Sequence, residues 1–337
     1  VVGLLLLNEP SNLNNRLLPH LLSNMKILFP EITPFHTFWL ETESTHQVYV
    51  ERSGNPTGIP VIFLHGGPCS GTRPDHRRFF NPERYHIILM DQRGCGLSLP
   101  FGELQNNTTQ HLIADMEAIR IQLRIEQWVL FGGSWGASLA LLYAQRYPQQ
   151  VRALILRGVF LARQTDMDWF LGAGVNRLYP QQWQQVREAL KVSDDKQVQT
   201  AFVDAVFSNE QTQVLAAVKQ WQAWGGLVAV GKAFRASEEV PTEKDILQVR
   251  MEVHYAKQHY FIRENQILDN CAELQHIPTV IIHGENDLTC PLESAWRLWQ
   301  VLPQASYIVV PNAGHIAKGE EMIDALVTAT EQLLSRL

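Results

Sequence analysis

Ser134, Asp287 and His315 occupy the places a hydrolytic serine site would require. Ser134 lies in Gly132-Gly133-Ser134-Trp135-Gly136, which fits the G-x-S-x-G elbow. A serine hydroxyl is a weak nucleophile at neutral pH; it needs a base, and the base needs an orienting acid. Where the elbow joins a strand to a helix, the partners follow in the order serine, acid, histidine, each just past a strand. The apolar run 280–283 leads to Gly284-Glu285-Asn286-Asp287, and the run 307–310 leads to Pro311-Asn312-Ala313-Gly314-His315. Asp287 is therefore the candidate acid, with Glu285 as the alternative, and His315 the candidate base. The chemistry would be acyl transfer through a covalent serine ester. Its oxyanion needs two backbone N–H groups, one from Trp135 and one from the His65-Gly66-Gly67 loop, at Gly67.

Such groups must be held by strand ends. Trp128-Val129-Leu130-Phe131 is a continuous apolar run, as in a strand buried on both faces of a parallel sheet. Helical spacing follows from 137 to 147, and Pro148 closes it. Further strands are expected at 61–64, 85–90, 153–156, 279–283 and 306–310, with an edge hairpin strand at 47–50. Thr108 and Thr109 can cap a helix to Arg124, and helices at 292–302 and 320–334 complete the pattern. Strands alternating with helices indicate a mostly parallel sheet covered on both faces, the α/β class. Between about 160 and 260 the strand runs disappear, and the segments 181–190, 197–207 and 211–224 look helical. They read as a helical cap inserted after a core strand. The expected division is an N-terminal extension at 1–28, core at 29–159, cap at 160–262 and core again at 263–337.

The 337 residues suit one core domain plus an insertion. A net charge of −6 gives no basic footprint for nucleic acid. No apolar run approaches the ~20 residues a membrane helix needs. Cys69, Cys95, Cys271 and Cys290 form neither C-x-x-C nor a zinc spacing, so free thiols and a cytoplasmic setting are expected, with no metal. Residues 1–24 show no signal-peptide pattern and are set aside from the fold reading.

Taken together, His65-Gly66-Gly67-Pro68, Asp91-Gln92-Arg93-Gly94-Cys95-Gly96-x-Ser98 and the Ser134 elbow resemble the proline iminopeptidase (prolyl aminopeptidase) family of α/β-hydrolases. So do Leu156-Arg157-Gly158-Val159-Phe160, Asp168-Trp169-Phe170, Arg177-Leu178-Tyr179-Pro180, Asp287-x-x-Cys290-Pro291 and Gly314-His315. The likeness runs from about residue 29 to the C-terminus. It implies an α/β-hydrolase core with an inserted helical cap, and release of N-terminal proline from short peptides through a prolyl-enzyme. It implies Ser134, Asp287 and His315 as triad and no cofactor; a monomer or small homo-oligomer is expected. The cap would enclose a short apolar pocket, with Gly66, Trp221, Trp224 and Glu252 as substrate-facing positions.

The chain departs from the family at two points. The family's Trp-x-x-Trp-Glu-Gly reads Trp221-Gln222-Ala223-Trp224-Gly225-Gly226 here, so Gly225 replaces a glutamate that meets the substrate's α-amine. A second family glutamate is kept as Glu252, with Glu238 and Glu239 as other cap acids. Loss of one charge-assisted hydrogen bond weakens handling of a free amine about ten- to a hundredfold. The alternative activity is therefore that of a general esterase or amidase. Dehalogenases and epoxide hydrolases of similar fold carry an aspartate where Ser134 stands. Finally, Cys69 replaces the family's glycine after His-Gly-Gly-Pro, which exposes the site to blockage by thiol reagents there.

Overall fold

The computed structural model describes residues 25–336. One eight-stranded sheet runs through it in the order β1-β2-β4-β3-β5-β6-β7-β8. The strands are β1 His36–Glu41, β2 Gln47–Gly54, β3 Ile59–Leu64, β4 Tyr85–Met90, β5 Trp128–Gly133, β6 Val151–Arg157, β7 Thr279–Gly284 and β8 Ser306–Val310. β1 and β2 pair antiparallel, as do β2 and β4; every later pairing is parallel. The expected strand at 47–50 is thus longer than its apolar run and lies inside the sheet. The edge belongs to β1, whose alternating exposure suits a half-covered strand.

The central strand β5 is buried along its whole length. Trp128 and Leu130 join the apolar layer on one face, and Val129 and Phe131 the layer on the other, as the twofold period of a strand requires. Helices α1 (Thr109–Gln122) and α2 (Trp135–Arg146) pack in the first layer. Thr108 caps α1 by accepting the His111 N–H, as its sequence position predicts.

Five helices of eight residues or more lie between β6 and β7: α3 Gln164–Leu171, α4 Pro180–Leu190, α5 Val198–Val206, α6 Gln211–Val230 and α7 Glu243–Lys257. α6 runs one and a half turns beyond its expected end, straight through Gly225 and Gly226. Packing overrides the local glycine penalty: the Phe234 ring lies where a Cβ on Gly226 would stand, 2.2 Å from its Cε2. The helix stops at Gly231, whose φ of +72° suits glycine. α7 is not anticipated from the sequence, although Thr242 and Asp245 form a capping box at its start. Two helices after β7 complete the core, α8 (Leu292–Val301) and α9 (Glu320–Leu334); the Met322, Leu326 and Leu333 side chains of α9 enter the second layer.

The expected extension falls mostly outside the described residues. Its last residues are docked: the Lys26 N–H donates to Asp324, and the Lys26 ammonium stands 2.8 Å from Glu331. No helix among the described residues is long and apolar enough to cross a membrane.

Candidate active site

Ser134 sits between β5 and α2 with φ 57° and ψ −125°. This left-handed conformation is strained for a side-chain-bearing residue, and its neighbours hold it there. A Cβ on Gly132 would fall 2.2 Å from the Gly136 carbonyl oxygen, and one on Gly136 would fall 2.0 Å from that of Leu64. The flanking glycines of the motif are therefore demanded by backbone contact. The Ser134 N–H donates to the Arg157 carbonyl at 2.9 Å, tying the turn to β6. The hydroxyl stands at the N-terminal end of α2, where developing negative charge is favoured.

Asp287 and His315 come from the loops after β7 and β8. The His315 Nδ1 lies 2.8 Å from Asp287 Oδ2. The other carboxylate oxygen accepts the N–H groups of Thr289 (3.0 Å) and Cys290 (2.9 Å). Burial alone would raise the Asp287 carboxyl; the adjacent His315 and His283 rings and the Cys290 N–H outweigh it and hold it below its ordinary value. An ionised Asp287 can only accept, so the proton of the pair sits on Nδ1 and Nε2 is free to act as base. Burial lowers the His283 imidazole below its ordinary value; its Nε2 contacts the Cys290 carbonyl at 2.8 Å, and its Nδ1 accepts the Val159 N–H. Arg157 donates to the His315 carbonyl and fixes that loop. The alternative acid, Glu285, is exposed and accepts the Asn312 N–H; among the described residues it makes no hydrogen bond to the His315 ring.

Gly67 and Trp135 line one cavity with Ser134 and His315, where an oxyanion hole would be needed. Gly67 has φ +112°, and a Cβ there would strike the Cys69 nitrogen at 2.2 Å. Gly66, expected to face substrate, packs on Ser134 instead of the cavity wall: a Cβ there would stand 3.2 Å from Ser134 Cβ.

Sequence reasoning gave no role to the residues that join these two loops. Trp135 Nε1 donates to Gln92 Oε1 at 2.9 Å, and Gln92 Nε2 donates to the His65 carbonyl at 2.8 Å. The Gln92 N–H donates to His65 Nε2, so the other ring nitrogen carries the proton toward the Gly66 carbonyl. Asp91 accepts from Thr72 N–H (2.6 Å) and hydroxyl (2.8 Å) with one oxygen, and from Leu97 N–H with the other. Asp91 and Gln92 of the Asp91-Gln92-Arg93-Gly94 motif thus fasten the Ser134 elbow to the loop that follows β3. Its signal is a carboxylate and an amide directly after a buried strand.

The cavity measures about 750 Å³ and reaches into the cap. Glu252 of α7 lines it; its Oε2 accepts the Trp221 Nε1–H at 2.6 Å, and its Oε1 accepts from Gln248 at 3.3 Å. Burial pushes its carboxyl above the ordinary glutamate value. No cation pairs with it among the described residues. Trp221, Gly225 and Ala229 follow one another at single helical turns along α6, and all line the cavity. A Cβ on Gly225 would meet only the Phe170 ring, at 3.9 Å.

Two further expected positions are corrected. Trp224 does not line the cavity; its Nε1 donates to the Phe170 carbonyl, and its ring packs 4.8 Å from Trp183 inside the cap. At i+3 from Trp221 it falls off the face that Gly225 and Ala229 share. Cys69 is buried with its sulfur turned to the Gly94 carbonyl; Cys290 is the cysteine at the cavity, 4.0 Å from the Ser134 hydroxyl. Glu238 pairs with Lys219 at 3.6 Å, and Glu239 is exposed at the mouth. No group of three His, Cys, Asp or Glu side chains among the described residues could hold a metal ion.

The model of the alpha/beta hydrolase fold family matches residues 59–321. The chain is 41% identical to a proline iminopeptidase of Xylella fastidiosa over 314 residues, covering 92% of this chain and all of that one. It is 41% identical to the proline iminopeptidase of Neisseria meningitidis (90% and 98% covered) and 38% identical to that of Arabidopsis thaliana (92% and 83%). Among solved structures it is similar in fold to a proline iminopeptidase of Mycobacterium smegmatis, with TM-score 0.58, 18% identity, and 89% and 99% coverage. It is also similar in fold to VinJ, with TM-score 0.61, 20% identity, and 90% and 100% coverage.

Proposed function

The chain belongs to the proline iminopeptidase family of α/β-hydrolases, and from that premise we propose how it works. It is a hydrolase that releases N-terminal proline from peptides. His315 Nε2 takes the Ser134 proton as the hydroxyl oxygen attacks the prolyl carbonyl. The Trp135 and Gly67 N–H groups hold the oxyanion, and Asp287 keeps the imidazolium oriented. His315 then protonates the leaving amine, the C–N bond breaks, and a prolyl ester remains on Ser134. Water attacks that ester with His315 again as base, and proline departs. Glu252 receives the substrate's ammonium group, and short peptides are the substrates. The four cysteines are free and buried, which supports a reducing, cytoplasmic setting.

The observation that carries this reading is one cavity lined by Ser134, by a His315 bound to Asp287, and by a carboxylate, Glu252, that has no cation among the described residues. The test is hydrolysis of prolyl p-nitroanilide by the wild type and by Ser134→Ala. The wild type turns over; the variant loses about 10⁶ in kcat, as removal of a serine nucleophile does elsewhere. Equal turnover by the two proteins would discard Ser134 as nucleophile.

A further inference from the structure

Charged side chains line the cavity on both its cap and core walls. On the cap wall stands Glu252, without a cation. On the core wall stands Arg73, on the loop that continues from Gly67 and Ser70. Arg73 is exposed to the cavity mouth, and its guanidinium has no hydrogen bond or ion pair among the described residues. The neighbouring acid, Asp75, is engaged elsewhere, 3.0 Å from Arg78.

The backbone under Arg73 is pinned. Thr72, immediately before it, is held by Asp91 at 2.6 and 2.8 Å, and the Arg73 N–H donates to His76 Nδ1 at 3.1 Å. The His76 ring is in turn stacked on Phe63, with centroids 4.2 Å apart. The base of the side chain is therefore fixed by buried groups while its charged end stays unpaired. Of the other charges at the mouth, Lys219 is 3.6 Å from Glu238, Arg235 donates to the carbonyls of Lys232 and Phe234, and Asp245 accepts from Thr242 and Gln222. Glu239 is exposed with no partner for its carboxylate among the described residues. Arg73 is the cation that combines a fixed base, a free guanidinium and a place beside the oxyanion loop.

A cleaved peptide has two charged ends. The acyl half lies on the cap side of Ser134, its ammonium toward Glu252. The leaving half must exit over the core loops, because its nitrogen has to meet His315. We propose that Arg73 binds the C-terminal carboxylate of the leaving half, so that the enzyme selects di- and tripeptides with a free C-terminus. The proposal rests on the aminopeptidase reading and adds the length and terminus it prefers. The planar fork of arginine suits a carboxylate, which it can take with two parallel N–H donors. A cavity of about 750 Å³ is in the range that encloses a small ligand, and a longer chain would carry its carboxylate past Arg73.

The experiment compares kcat/KM for Pro-Ala, Pro-Ala-amide, Pro-Ala-Ala and Pro-Ala-Ala-amide, with prolyl p-nitroanilide as reference. In the wild type each free acid is favoured over its amide by about tenfold, the value of one charge-assisted pair. Arg73→Gln brings the acid-to-amide ratio to about one, Arg73→Lys restores part of it, and Arg235→Gln leaves the ratio as in the wild type. Each ratio is measured within one protein preparation, so a loss of folded enzyme does not alter it. A wild type that cleaves the anilide yet treats acids and amides alike overturns the proposal and spares the aminopeptidase reading. So does an Arg73→Gln variant that keeps the preference. Absence of anilide cleavage sinks the reading and the proposal together.

Discussion

The core loops and the cap build opposite sides of one cavity under very different constraints. On the core side, missing Cβ atoms answer to backbone. A methyl group on Gly132 or Gly136 would sit 2.2 or 2.0 Å from a carbonyl oxygen. On the cap side, Gly225 has nothing nearer than a ring carbon 3.9 Å away. The acids differ in the same sense. Asp287 is held below its ordinary value by two imidazoles and a backbone N–H, whereas burial pushes Glu252 up. The core is therefore a fixed chemical instrument, and the cap is a wall of side chains that can be exchanged without disturbing it. Change of substrate within such a fold is expected at the cap.

The contrast can be broken most forcefully at the core. Asp287→Asn should lower kcat about 10⁴-fold with little change in melting temperature, since it leaves His315 in the wrong tautomer. Gly136→Ala should cost about 4–5 kcal/mol of stability, read as a large fall in the denaturant midpoint, because the backbone of β3 must move. If Gly136→Ala folds like the wild type, the elbow is not held as described. Effects on the cap side should be smaller and confined to the substrate. Glu252→Gln should weaken kcat/KM for free-amine substrates about ten- to a hundredfold while an amine-free acyl ester is handled as before. Equal loss on both substrates would place Glu252 in the scaffold. Smallest of all, Gly225→Ala should stabilise the protein by about 0.5–1 kcal/mol, as alanine does within a helix when space allows. A lowered melting temperature would show that the space at Gly225 is not free.

Acidification sharpens the same comparison. A carboxyl with a raised value takes up its proton at higher pH than an ordinary glutamate, so Glu252 loses its charge first, while Asp287 remains ionised. The ratio of free-amine to acyl-ester turnover cancels the triad's own titration, because both substrates share it. That ratio should fall as pH drops toward and through the raised value, and the fall should be missing in Glu252→Gln. Stability has a separate acid limb. Burial lowers His76 to about 3 and His86 to about 4, so the unfolded chain binds these protons first and stability declines as pH falls below about 6.5.

The core was legible because its chemistry is written in short local patterns. Buried parallel strands are apolar runs, and the functional residues follow them directly, so Ser134, Asp287 and His315 could be placed by order alone. Gly67 and Trp135, read by the same logic, line the cavity with Ser134 and His315. The cap was less legible because helices there are decided by packing. Two adjacent glycines end a helix on propensity, yet α6 continues through Gly225 and Gly226 under the Phe234 ring. Trp224 differs from Trp221 only in the face it occupies, which the sequence shows only once the helix is known to be continuous. The fastening by Asp91 and Gln92 escaped for another reason: a buried carboxylate and amide declare their partners only in three dimensions. The same holds for Cys69, whose sulfur turns to the Gly94 carbonyl, and Cys290, whose sulfur lies 4.0 Å from the Ser134 hydroxyl.

The most direct test of the central claim compares kcat/KM for prolyl p-nitroanilide and its N-acetylated form with the wild-type enzyme. A cap carboxylate waiting for an ammonium predicts a preference of at least about tenfold for the free amine. Equal or faster cleavage of the acetylated substrate would contradict it, and would leave a working triad beneath a cap that recognises something other than an N-terminus.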